Sequence, residues 1–128
     1  MNVNLKRLAT AGVLAATASV TVLAGSASAA TEKACSGSYF CNWTYGDGTY
    51  VQYLDAYRGS GTKGKYGFFN VFGPNGFTLT GSSGTADMQR FPIRKSLPSG
   101  LLCLRFFEVV GGQATERGSA ACTSIPIG

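Results

Sequence analysis

LLCLRFFEVVGGQATERGSAAC, residues 101–122, is the stretch whose reading decides the fold. A run of leucine, phenylalanine and valine precedes a Gly-Gly pair, and a second run returns after it, the pattern of an antiparallel hairpin. Loop length then sets the register. If Gly111-Gly112-Gln113-Ala114 form the loop, Val110 faces Thr115, and counting back puts Cys103 opposite Cys122 and Glu108 opposite Arg117. One register thus yields a cross-strand disulfide and a complementary ion pair. A two-residue loop at Gly111-Gly112 puts Cys103 opposite Ala120 and loses both pairings. The expected bridges are Cys103–Cys122 and, by remainder, Cys35–Cys41.

That oxidised reading depends on compartment. Residues 1–30 run from a cationic start (Lys6, Arg7) through a soft apolar stretch, Leu8 to Leu23, to the small residues Gly25 to Ala30. This is the layout of a cleaved secretory signal peptide. Cleavage after Ala29 and after Ala30 both satisfy the small-x-small rule, the second being slightly favoured. The stretch is too rich in Ala, Thr, Ser and Gly for a transmembrane anchor, which needs about twenty strongly apolar residues. Residues 31–128 then form one domain, secreted and extracellular, and an even number of cysteines in that setting predicts disulfides. A zinc site is the rival, but five residues separate Cys35 from Cys41, too many for the usual knuckle. No metal and no cofactor are expected. Without Lys6 and Arg7 the net charge falls from +5 to +3, too mild and too dispersed for a nucleic-acid partner.

Along the rest of the chain, Gly, Pro and Asn clusters break up aromatic and β-branched runs at short intervals. Thr31 to Ala34 reads as a short tail. Tyr39 to Tyr45 reads as a strand, and Gly46-Asp47-Gly48 as a turn. Thr49 to Arg58 carries helical spacing at Tyr50, Tyr53, Leu54 and Tyr57, but its strand-forming residues and neighbours favour a strand. Gly59 to Lys65 reads as a flexible cationic loop. Tyr66 to Phe72 and Phe77 to Thr80 form a hairpin around Gly73-Pro74-Asn75-Gly76. Met88 to Arg94 is a strand in which Pro92 predicts an edge or a bulge. The expected fold class is all-β: a small antiparallel β-sandwich or open barrel of about seven strands with two disulfides.

The segments GFFNVFGPNGF (Gly67 to Phe77), LPSGLLCLRFFE (Leu97 to Glu108) and SAACTSI (Ser119 to Ile125) resemble small secreted disulfide-linked β-proteins of actinomycetes. The resemblance rests on hairpin and disulfide patterns and brings no activity to any residue.

Catalytic chemistry is poorly supplied. The chain has no histidine, which removes the usual general base and the Ser-His-Asp and Cys-His arrangements. Disulfide-bonded cysteines offer no thiolate. Ser60-Gly61-Thr62-Lys63 matches a Ser-x-x-Lys string but lies in a glycine-rich loop, and a domain this small hardly builds a sugar cleft between two carboxylates. The chain therefore reads as a non-enzyme. Trp43, Tyr45, Tyr50, Tyr53 and Tyr57 are too many amphipathic aromatics for one face of a small core, and Arg58, Lys63 and Lys65 follow them. These eight are the candidate binding surface. A protein partner is the leading expectation, with the chain acting as inhibitor, adaptor or subunit of an exported assembly, including in interbacterial competition. Cell-wall polysaccharide bound on the aromatics, and an antimicrobial action of the cationic loop on membranes, are the alternatives.

Overall fold

The computed structural model describes residues 29–128, so the predicted signal segment lies outside the described residues apart from its last two, Ala29 and Ala30. Eight strands follow: β1 (Ala30–Ser36), β2 (Phe40–Asp47), β3 (Tyr50–Arg58), β4 (Gly67–Phe72), β5 (Thr78–Thr80), β6 (Met88–Ser96), β7 (Gly100–Val110) and β8 (Gln113–Ile125). They form two four-stranded antiparallel sheets, ordered β1-β2-β3-β6 and β8-β7-β4-β5. The architecture is a β-sandwich, and among the described residues no helix is long and apolar enough to cross a membrane.

Residues alternate between core and outer face, as the two-residue period of a strand requires. Phe40, Leu54, Phe69, Leu102, Leu104 and Phe106 fill the space between the sheets. Phe69 meets Phe40 and Phe106 edge-on, with ring centroids 5.9 and 5.2 Å apart. A polar clamp crosses the same core. Asn42 Nδ2 donates to Leu102 O and Ala121 O at 3.0 Å each, Thr44 Oγ1 donates to Asn42 Oδ1 at 2.7 Å, and Thr44 and Thr123 hydroxyls lie 2.8 Å apart. Buried polar groups persist when they are paired in this way.

Both expected disulfides form, and the ion pair Arg117–Glu108 closes at 2.9 Å, but the register differs from the expected one. The loop is the two-residue Gly111-Gly112, with Gln113 opposite Val110. Gly111 and Gly112 have φ of 60° and 79°, the left-handed pair that a tight hairpin turn demands. The register recovers further along β8, where Gly118, Ser119 and Ala120 together face Arg105, and this bulge returns Cys122 to Cys103. Glu108 therefore faces Thr115 and meets Arg117 diagonally. The bulge has a structural partner: Ser119 N donates to Ser36 Oγ at 2.9 Å, drawing β8 against β1 on one side of the sandwich.

Two further expectations are corrected. The predicted tail, Thr31 to Ala34, is the middle of edge strand β1, which the Cys35–Cys41 bridge pins to β2 across a tight turn. The loop Gly59 to Lys65 is anchored at its centre, although Lys63, Gly64 and Lys65 are exposed. Thr62 is fully buried, and its hydroxyl donates to Tyr39 O at 2.6 Å. Thr49 to Arg58 is a strand, and Pro92 lies on edge strand β6 beside a bulge, as expected.

Candidate functional site

Alternation decides which aromatics reach solvent. Phe40, Asn42 and Thr44 turn inward on β2, leaving Cys41, Trp43 and Tyr45 on the outer face. On β3 the inward residues are Val51, Leu54 and Ala56; an irregularity near Gln52 shifts the alternation by one residue, so Tyr53, Asp55 and Tyr57 face outward. Register then lays three rows across the β1-β2-β3-β6 sheet: Thr31-Tyr45-Tyr53-Pro92, Lys33-Trp43-Asp55-Arg90 and Cys35-Cys41-Tyr57-Met88.

Asp55 is the electrostatic centre of this face. It is fully buried although its strand position is outward. Arg90 closes over it with a two-pronged contact, Nε to Oδ1 at 2.8 Å and Nη2 to Oδ2 at 2.9 Å. The hydrogen bond to Asp55 raises the Arg90 pKa above its ordinary value. The same guanidinium lies over the Tyr53 ring, 3.8 Å from its centroid, and Lys33 Nζ sits 4.9 Å over Trp43. Trp43 meets Tyr57 edge-on at 5.8 Å, and Tyr45 leans on Tyr53 at 4.5 Å. Burial pushes the Tyr45 pKa up, with Tyr57, Asp55 and Tyr53 adding to the shift and Arg90 opposing it.

Beside this cluster lies a groove of about 350 Å³, lined by Ala30, Thr31, Tyr45, Tyr50, Gln52 and Tyr53 among others. Tyr50 and Tyr57 are 43% and 37% exposed, enough to offer contact area at opposite ends of β3.

The sheet thus gathers Trp43, Tyr45, Tyr53 and Tyr57 on one face, with Tyr50 at its end. It does not bring the cations of the following loop to them. Arg58 turns between the sheets, 4.6 Å over Phe106 and 5.8 Å over Phe69, and donates to the carbonyls of Thr62, Lys65 and Gly84. Burial lowers its pKa, with Asp87 working the other way. Lys63 pairs with Asp87 at 3.4 Å, both well exposed, and Lys65 is exposed in the loop.

Sequence reasoning misses Asp55, Arg90 and Lys33. A signal for the first exists: in Tyr53-Leu54-Asp55-Ala56-Tyr57 a lone carboxylate shares the outward phase with two tyrosines. None exists for Arg90, because β6 joins β3 only after β4 and β5 have been laid into the other sheet.

Comparison with known proteins adds no relative: no protein-family model, no curated protein and no solved structure matches the chain.

Proposed function

We propose that this chain is a secreted, non-enzymatic binding module that engages another protein through the outer face of the β1-β2-β3-β6 sheet. The observation that carries the reading is the Trp43-Tyr57-Tyr53-Tyr45 cluster ordered around the Asp55–Arg90 pair. Tryptophan, tyrosine and arginine dominate the energetics of protein interfaces, because each buries a large rigid area and keeps a polar tip. Here the rings are braced by each other and by two cations, so little side-chain entropy remains to be lost on contact. Pre-placed cations over Trp43 and Tyr53 also occupy ring faces on which a sugar would stack.

The test is paired capture. Immobilised protein and its Trp43→Ala/Tyr57→Ala variant are exposed to culture supernatant from the producing cells and from competitors, and bound proteins are identified by mass spectrometry. A partner held by the parent and by a Lys63→Ala control, but lost from the double variant, supports the reading. A partner retained by all three, or none under several growth conditions, overturns it.

One observation favours a second reading. The Tyr45-Tyr50-Tyr53 groove is large enough to admit a sugar ring and has Gln52 in its lining. Cosedimentation with purified cell wall or chitin, abolished by Tyr50→Ala, is the outcome that would select polysaccharide over protein.

A further inference from the structure

The opposite sheet has an outer face of its own, which sequence reasoning does not single out. Leu102, Leu104 and Phe106 of β7 and Phe69 and Val71 of β4 turn into the core, so Cys103, Arg105 and Phe107 share the outer side with Phe68, Asn70 and Phe72. Register stacks these in three rows: Phe72-Cys103, Asn70-Arg105 and Phe68-Phe107. Phe68 and Phe107 are stacked at 5.3 Å, and the Arg105 guanidinium lies 4.7 Å from the Phe72 ring centroid and 5.3 Å from that of Phe107.

Arg105 is held in place. Its Nε donates to Asn70 Oδ1 at 3.0 Å. Asn70 is 7% exposed and is itself fixed, since its Nδ2 donates to Thr78 Oγ1, Leu79 O and Thr80 Oγ1 at 3.1 Å each. Among the described residues Arg105 has no ion-pair partner; Glu116, which faces Phe107, does not reach it. Arg90 supplies an internal comparison. It too lies over an aromatic ring on an outer sheet face, and the protein gives it a buried carboxylate in two-pronged contact. Arg105 receives a neutral amide at Nε alone, so its terminal nitrogens keep the planar fork that matches a carboxylate.

We propose that this Arg105 face binds an acidic side chain carried on an extended segment of another protein, flanked on both sides by apolar residues. Spacing argues for that form. Rows on one face of a sheet lie two residues apart, about 7 Å, and an extended segment repeats its own same-face side chains at that interval. A glutamate over Arg105 therefore places its neighbours at i−2 and i+2 over Phe72 on one side and over the Phe68–Phe107 pair on the other. The face lies on the other sheet from Trp43 and stands whether or not that cluster binds anything.

The probe is the capped peptide acetyl-Phe-Thr-Glu-Thr-Phe-amide, titrated into the isotope-labelled protein at low salt and followed by NMR. Shifts are expected at the Arg105 Nε–H and at the amides of Phe68, Phe72 and Phe107, with those of Trp43 and Tyr57 unmoved. The matching Gln peptide should bind at least about tenfold more weakly, the loss of a charge-assisted hydrogen bond. Arg105→Gln should erase the Glu-over-Gln preference, and Arg105→Lys, which keeps charge but not the fork, should retain only part of it; unchanged thermal unfolding of the Lys variant guards against misfolding. Equal binding of the Glu and Gln peptides, an Arg105→Gln variant that still discriminates, or tighter binding of a peptide with a free C-terminal carboxylate and no internal acid would each overturn the proposal.

Discussion

Asn42→Leu separates two accounts of what holds the sandwich together. The side chains share a branched shape and the same number of heavy atoms, though Leu is bulkier, and Asn42 is fully buried, so a core governed by apolar burial would lose no more than a modest overpacking cost. The polar clamp predicts a larger loss. Asn42 makes three hydrogen bonds, to Leu102 O, Ala121 O and Thr44 Oγ1, which at about 1 kcal/mol each come to about 3 kcal/mol. The added apolar contact of Leu returns less than about 1 kcal/mol, since the site is already closed. The expected loss is about 2–3 kcal/mol, or about 10–20 °C in Tm for a domain of roughly one hundred residues. Urea unfolding followed by Trp43 fluorescence measures it, with an unchanged m-value certifying two-state behaviour. Asn42→Leu at or above parental stability refutes the clamp.

Three other outcomes test the fold and the face. Gly118→Ala should cost about 2 kcal/mol or more in urea unfolding, since φ is 77° and a Cβ there would lie 2.7 Å from Ser36 Oγ; Gly111→Asn, in open space at φ of 60°, should cost under about 0.5 kcal/mol. Replacing Cys103 and Cys122 together by Ala should cost roughly 2–5 kcal/mol, and peptide mapping of the unreduced parent should recover only the Cys35–Cys41 and Cys103–Cys122 links. Tyr45 has its pKa raised in the fold, so folding favours its neutral form: the contribution is intact below the unfolded value of about 10 and is lost as pH rises through the higher folded value. Ultraviolet titration should show a late-ionising tyrosine that Tyr45→Phe removes; its persistence in that variant would reject the assignment.

Sheet-forming segments and disulfide partners were legible because they follow from local signals. Pro74-Asn75-Gly76 and Gly111-Gly112 mark turns, and aromatic alternation marks β2 and β3. The Cys103–Cys122 link was reached by way of a longer loop than the one that forms, since the bulge at Gly118 to Ala120 compensates for the shorter turn. A hairpin count alone cannot distinguish these two routes; contact of Ser119 with Ser36 on another strand selects one. Strand β1 escaped because its inward residues, Ala30, Glu32 and Ala34, carry almost no hydrophobic period. The aromatic half of the face was visible in β2 and β3, which are neighbours in sequence. Its ionic half was not, because Arg90 arrives from a strand whose place beside β3 is set by the whole topology.

Three arginines lie against aromatic rings in this sandwich, and what each hydrogen-bonds to distinguishes its role. Arg58 donates from its terminal nitrogens to three backbone carbonyls, keeps a buried Nε without a partner, and sits above core phenylalanines, so it closes that end of the sandwich. Arg90 is satisfied by a buried carboxylate; removing Asp55 would leave Tyr53 without the ion-paired guanidinium over its ring, while Arg90, half exposed, would remain solvated. Arg105 is oriented by a buried amide that carries no charge, which fixes the guanidinium without neutralising it. Structural closure needs only dipoles, and ordering a surface needs an internal counter-ion. A guanidinium that is positioned at the cost of burying Asn70, yet left with its charge uncompensated on an outer face, is arranged for an anion that comes from another molecule. The two outer faces therefore differ in how the guanidinium is held: on one Asp55 neutralises it, with Lys33 a second cation over Trp43, and on the other it lies among phenylalanines without an ion-pair partner among the described residues.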